Sequence, residues 1–173
     1  MSERDVFIEA FGRIPDAVSQ AVEGLDAGQL AYRPVLADGS GSPGNSIAWL
    51  IWHLTRVQDN HVADAAGRGE LWLTDGWAEK FGLDLPREDT GYGHRSDDVG
   101  RVRVDSAGLL AEYHRAVHGR SLQFIGGLSE TDLDRIVDTS WEPPVTLRVR
   151  LVSVVEDSLQ HAGQAAYLRG LLV

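Results

Sequence analysis

Apolar residues recur at helical spacing in four stretches of the chain, and segments rich in glycine, proline and polar residues separate them. In the first stretch Val6, Ile8, Phe11, Ile14, Val18, Ala21 and Val22 predict a helix from about Asp5 to Glu23. Pro15 removes an internal backbone bond, so this helix is either kinked there or built from two pieces, and Gly24 is placed to end it. The run from Asp38 to Asn45 is a loop by composition, with Asn45 or Ser46 able to cap the next helix. That second helix, Ser46 to about Ala66, carries Ile47, Leu50, Ile51, Leu54, Val57 and Val62, with His53 among them and expected to point inward.

The connection from Gly67 to about Val104 is unusually long, and Trp72, Trp77, Phe81 and Tyr92 are scattered along it. Connections of that length often shape a site or carry an interface. Asp105 or Ser106 then opens a third helix, built on Leu109, Leu110, Tyr113, Val117, Leu122, Phe124 and Ile125 and closed by Gly126-Gly127. Ser129 to Asp132 reads as a cap over a short helical turn, and Trp141-Glu142-Pro143-Pro144 as a rigid extended loop. The last helix spans roughly Thr146 to Leu171, although Val145 to Val149 alternates in a way that also suits a short strand. Four amphipathic helices with polar connections make an all-α bundle the economical architecture, and 173 residues suit one domain over 1–173.

A net charge of −10 without a local basic stripe argues against nucleic acid as a partner. No window approaches the ~18 uninterrupted apolar residues of a membrane span, and the N-terminus lacks a basic region followed by an apolar one, so the expectation is a cytoplasmic protein. The absence of cysteine excludes disulfides and thiolate metal ligands from the chain, so a nucleophilic thiol would have to arrive as a small molecule.

Six histidines remain as candidate chemistry. Asp157 and His161 stand four residues apart and so share one face of the last helix. With His53 they would offer three donors to a divalent ion, and leave a position open for water or substrate. Spacing alone serves equally a simple helix pair beside a hydrogen-bonded core histidine. His114 and His118 form a second pair at the same spacing, expected to be partly exposed; His61 and His94 are expected on the surface or in loops. Gln164, one turn beyond His161, could orient a ligand through a hydrogen bond or meet the substrate, and helix packing explains the Gly163-Gln164 pair equally well. Arg150 and Arg56 could each receive an anionic substrate or pair with a neighbouring carboxylate. None of the five tryptophans is assigned a chemical role.

The segment Val154 to Gly170, with Asp157, three intervening residues and then His161-Ala162-Gly163-Gln164, resembles the final-helix signature of the DinB-like superfamily. Ile47 to Leu54 is similar to that family's second-helix motif around its first metal histidine. The resemblance covers nearly the whole chain and implies a four-helix up-down-down-up bundle with a long connection between helices 2 and 3. It implies a metal held by His53, Asp157 and His161. The branch it most resembles is that of the mycothiol-dependent maleylpyruvate isomerases and thiol S-transferases, in which a carboxylate, usually glutamate, stands where this chain has the shorter Asp157. The expected activity is therefore a metal-dependent S-transferase or isomerase that joins mycothiol, or a related small thiol, to an electrophilic substrate. Zinc is the expected metal, with nickel, iron and manganese also suited to such donors. A metal-dependent hydrolase and a non-catalytic, metal-stabilised binding or stress-response module are the alternatives, and a homodimer is expected on frequency alone.

Overall fold

The computed structural model describes residues 2–35 and 41–173; Asp38, Gly39 and Ser40 of the expected loop lie outside the described residues. The first hydrophobic stretch is realised as two pieces, α1 (Glu3–Gly12) and α2 (Ile14–Val22). Ser2 opens α1 with a reciprocal cap, its hydroxyl accepting from the Asp5 N–H while the Asp5 carboxylate accepts from the Ser2 N–H. Pro15 falls in the first turn of α2, where a missing N–H leaves no intrahelical bond unmade. Gly24, at φ +74°, follows the end of α2. A short helix not foreseen from periodicity, α3 (Ala27–Ala31), is capped by Asp26 and Gln29. At five residues it is too brief to display a hydrophobic period.

The second long stretch is α4 (Ile47–Ala65), with the Ser46 hydroxyl accepting from the Trp49 N–H. The long connection contains α5 (Leu71–Thr74), α6 (Trp77–Phe81) and α7 (Ser96–Arg101), and α8 (Ala107–Gly126) comes next. A 3-10 turn (Glu130–Asp134) leads into a small antiparallel hairpin of β1 (Ile136–Asp138) and β2 (Val145–Thr146), paired Ile136 to Thr146 and Asp138 to Val145. The alternating run at Val145 is thus strand for two residues only. The chain turns helical at once in α9 (Leu147–Arg169), capped by the Thr146 hydroxyl.

α1 and α2 together act as the first helix of a four-helix bundle, packing against α8 and α9, while α4 packs against the same two. The directions follow from individual contacts. Arg148 meets Glu3 and Arg169 meets the Glu23 carbonyl, so α1/α2 and α9 run parallel. Glu23 and Gly24 at the end of α2 line one cavity with Ala107 and Gly108 at the start of α8, so those two are antiparallel, and His61 meets Arg150 while His53 meets Asp157, so α4 and α9 are antiparallel. This is the up-down-down-up order. Among the described residues no helix is long and apolar enough to cross a membrane.

The core joins Phe11, Ile14, Leu30, Ile51, Leu110 and Leu151 with other apolar residues from every long helix. A polar cluster is enclosed beside it. Arg56, fully buried on α4, donates to Glu70 at 2.6 Å and to the carbonyls of Asp89 and Glu88. Asp59 accepts from the Leu71 and Trp72 N–H groups at the start of α5 and from the Tyr113 hydroxyl at 2.9 Å. Trp72 and Phe81 pack their rings on Tyr113, and Trp77 joins them, so the long connection is fastened to the bundle at both polar and aromatic points. The pairing alternative for Arg56 is realised in the interior.

His114 departs from the expectation of a partly exposed pair. It is only 1% exposed, stacked near His118 at 6.0 Å between ring centres, and its Nε2 is buried without a hydrogen-bond partner among the described residues. Burial, aided by the charges of His118 and Arg115, pushes its pKa down to about 3. The native protein therefore takes up no proton here until about pH 3, whereas the unfolded chain takes one up below about 6.5. This site's full contribution to stability is present above pH 6.5 and declines as the pH falls, by about 2 kcal/mol at pH 5. Urea unfolding at pH 7 and pH 5 should show that His114→Phe narrows the difference between the two pH values by about that amount. An unchanged difference would refute the assignment.

Candidate metal centre

The antiparallel contact of α4 with α9 carries the site. The buried stripe of α9 slims to Ser158, Ala162 and Ala165 in its second half, letting the helices approach closely, and Asp157 and His161 flank that stripe on the α4 side. His53, 6% exposed on α4, faces them. Its Nε2 lies 3.9 Å from Asp157 Oδ1, and His161 Nε2 lies 3.5 Å from the same oxygen. One donor atom from each of the three residues falls within a group no wider than 4.8 Å. A tetrahedral ion with bonds of about 2.1 Å separates its donors by about 3.4 Å, so a small contraction of this triangle would close it on a cation. The short aspartate reaches the shared space.

Each imidazole is oriented through its other nitrogen. His53 Nδ1 lies 2.6 Å from the Thr90 carbonyl, which can only accept, so Nδ1 carries the proton and Nε2 presents a lone pair. His161 Nδ1 lies 3.0 Å from Gln164 Oε1, which accepts from it and leaves Nε2 turned toward Asp157. Gln164 thus occupies the orienting position that its spacing suggested. Burial chiefly lowers the His53 pKa, against the opposing pull of the Thr90 bond and the Asp157 charge, and so keeps the ring neutral. For His161 burial is outweighed by hydrogen bonds to Asp157 and Gln164, and its pKa is raised. Asp157 Oδ2 is buried without a partner among the described residues. An orphaned carboxylate oxygen beside two lone pairs is costly in a protein interior unless something positive completes the group. The donor set therefore fits a divalent ion.

Several residues that sequence reasoning passed over support this group. Trp49 stacks on His53 at 4.6 Å between centres and 12° between planes, and meets His161 edge-on at 5.9 Å. Its indole N–H donates to His94 Nδ1, so His94 donates through Nε2 to Asp89 at 2.8 Å. His94 lies in a loop, as one of its two expected settings had it, but is enclosed behind the site, with its side chain 6% exposed. Gly91 passes so close to His53 that a methyl group there would lie 2.7 Å from Nδ1, and its φ of +88° disfavours any other residue. The only trace of these roles in the sequence is the helical spacing that puts Trp49 one turn before His53. Arg56, by holding the carbonyls of Glu88 and Asp89, fixes the stretch whose next carbonyl orients His53.

Arg150 and His61 sit farther along the same seam. Arg150 donates to Asp138 at 2.6 Å and to His61 Nδ1 at 2.8 Å, so it too realises the pairing alternative. His61 is half-buried, not a surface residue, and burial together with the Arg150 charge pushes its pKa to about 4.

A four-helix up-down-down-up bundle with two histidines and one carboxylate gathered between its second and last long helices defines a DinB-like protein. A family model described as Mycothiol-S-transferase matches residues 9–173, and the chain belongs to that family. Among solved structures, a crystal structure titled as the conserved protein of locus from Enterococcus faecalis is similar to this chain. The two are 30% identical with a TM-score of 0.87, and the match covers 98% of this chain and 96% of that one. No curated protein matches the sequence.

Proposed function

We propose that this protein is a metal-dependent transferase that couples mycothiol to an electrophilic small molecule, with His53, Asp157 and His161 holding one divalent ion, zinc fitting these donors best. The observation that carries the reading is the convergence of His53 Nε2, His161 Nε2 and the Asp157 carboxylate, whose Oδ2 has no partner among the described residues, with each ring held through its Nδ1. When bound, such an ion supplies positive charge that favours the deprotonated form of a thiol beside it. The chain's own part is to aim both imidazoles and to favour the neutral form of His53. His53 is clamped between the Thr90 carbonyl and the Trp49 ring, and His161 between Gln164 and Asp157. The enclosing Trp49 ring also keeps bulk water from one side of the group. Over one turnover the thiol proton passes to solvent, the sulfur forms a bond to the electrophilic carbon, and the leaving group departs with the bonding pair.

The test is elemental analysis of protein purified without chelator, followed by mycothiol conjugation to an aryl halide before and after metal removal. About one divalent ion per chain is expected, with conjugation lost on chelation and restored by zinc. Conjugation that persists at full rate without metal would overturn the proposal. So would metal-dependent ester or amide cleavage that needs no thiol, which is the outcome a hydrolase gives.

A further inference from the structure

A cavity of about 360 Å³ opens on the same α4 and α9 seam, lined among others by Val57, His61, Thr90, Tyr92, Trp141 and Arg150. Val57 and His61 stand one and two turns past His53, so at 1.5 Å per residue the cavity extends from about 6 to about 12 Å along α4 from that ring. Thr90, whose carbonyl orients His53, forms part of its wall. Its rim holds two large aromatic side chains left in solvent, Tyr92 at 85% and Trp141 at 63% exposure. Its polar floor is electrically compensated. Asp138 pairs with Arg150, and His61 accepts an Arg150 N–H on Nδ1, which only an uncharged imidazole can do.

Those features select a ligand chemistry. An anion would have to compete with Asp138 for Arg150, and a cation would meet Arg150 itself. Hydroxyl groups, which both donate and accept, match the mixture of carboxylate, guanidinium, imidazole and Asn60 amide that the cavity offers. Exposed ring faces, negative at their centres, suit the C–H faces of a saturated polyol ring. The volume falls in the range of small-ligand sites, where roughly 300–1,000 Å³ is usual.

We infer that this cavity binds the uncharged, polyhydroxylated part of the thiol substrate, stacked on Trp141 and Tyr92, with the sulfur end directed along α4 toward His53. The inference rests on the transferase reading and adds to it a binding site for the sugar. Mycothiol carries its cysteine sulfur on a glucosamine–inositol pair, a polyhydroxylated group of the kind this lining selects.

The experiment compares metal-loaded wild type with Trp141→Ala and Tyr92→Ala, both changes being at exposed positions that the core does not need. KM is measured for mycothiol, for N-acetylcysteine as a thiol without the sugar, and for the electrophile. Binding of the sulfur-free glucosamine–inositol fragment is measured by calorimetry. Loss of the Trp141 ring should raise the mycothiol KM about tenfold with kcat nearly unchanged, leaving the N-acetylcysteine and electrophile values where they were. The fragment should bind wild type and fail to bind the Trp141 variant. A rise in the electrophile KM instead, or no change in any KM together with unaltered fragment binding, would overturn the inference. Fragment binding that depends on Trp141 in a protein without thiol-conjugating activity would sustain the sugar site while sinking the transferase reading.

Discussion

Arg56→Met is expected to lower the stability of the fold by about 3–5 kcal/mol, the usual consequence of removing one partner from an enclosed ion pair. The guanidinium is fully buried, and its loss strands Glu70 and leaves Asp59 without the positive charge 3.8 Å away. Burial already raises the Asp59 pKa against the hydrogen bonds that hold it ionised, and removal of Arg56 pushes it further in that direction. The carbonyls of Glu88 and Asp89 lose their donor as well. Methionine fills much of the volume, so the deficit reports electrostatics and hydrogen bonds more than a cavity. Urea unfolding followed by circular dichroism measures it. A loss below about 1 kcal/mol would mean that the network is dispensable and the long connection is held by its aromatic residues alone.

His161→Ala separates the metal site from the fold in the opposite way. The ring is partly exposed on the last helix, and alanine is the best helix former, so the metal-free variant should unfold within about 1 kcal/mol of metal-free wild type. The difference appears on adding metal. Wild type at zinc concentrations of 100 times its dissociation constant should gain about 2.7 kcal/mol, or roughly 5–10 °C in Tm for a chain of this size. The variant, with one donor gone and Asp157 left with a single imidazole, should gain almost nothing and retain less than a tenth of the metal. Equal zinc-induced shifts in both proteins would place the ion elsewhere.

Much of this site was legible in the chain because its essential relations are local. Asp157 and His161 share a face through helix geometry alone, and Gln164 follows His161 by nearly one turn. His53 faces inward because the apolar period around it leaves no other direction. The four long helices were visible for the same reason, and Pro15 announced the break between α1 and α2. Short elements escaped: α3, α5, α6 and α7 run for six residues or fewer and cannot show a repeat of 3.6. Histidine burial was missed where it came from another part of the chain, as at His61 against Arg150 and in the enclosure of the loop residue His94 behind Trp49.

Amino-acid order alone determined which long segments are helical, which face of each is apolar, and that a carboxylate and an imidazole stand one turn apart on the last helix. Those properties depend on neighbours within a few residues, where backbone geometry fixes the spacing. Tertiary structure decided the rest: that His53 meets them, that the Thr90 carbonyl selects its tautomer, that Arg56 is interior, and that Trp141 and Tyr92 border a cavity with Arg150. Each of those contacts joins residues from separate elements, and their meeting depends on how the bundle packs and on the path of the long connection, which no local period records.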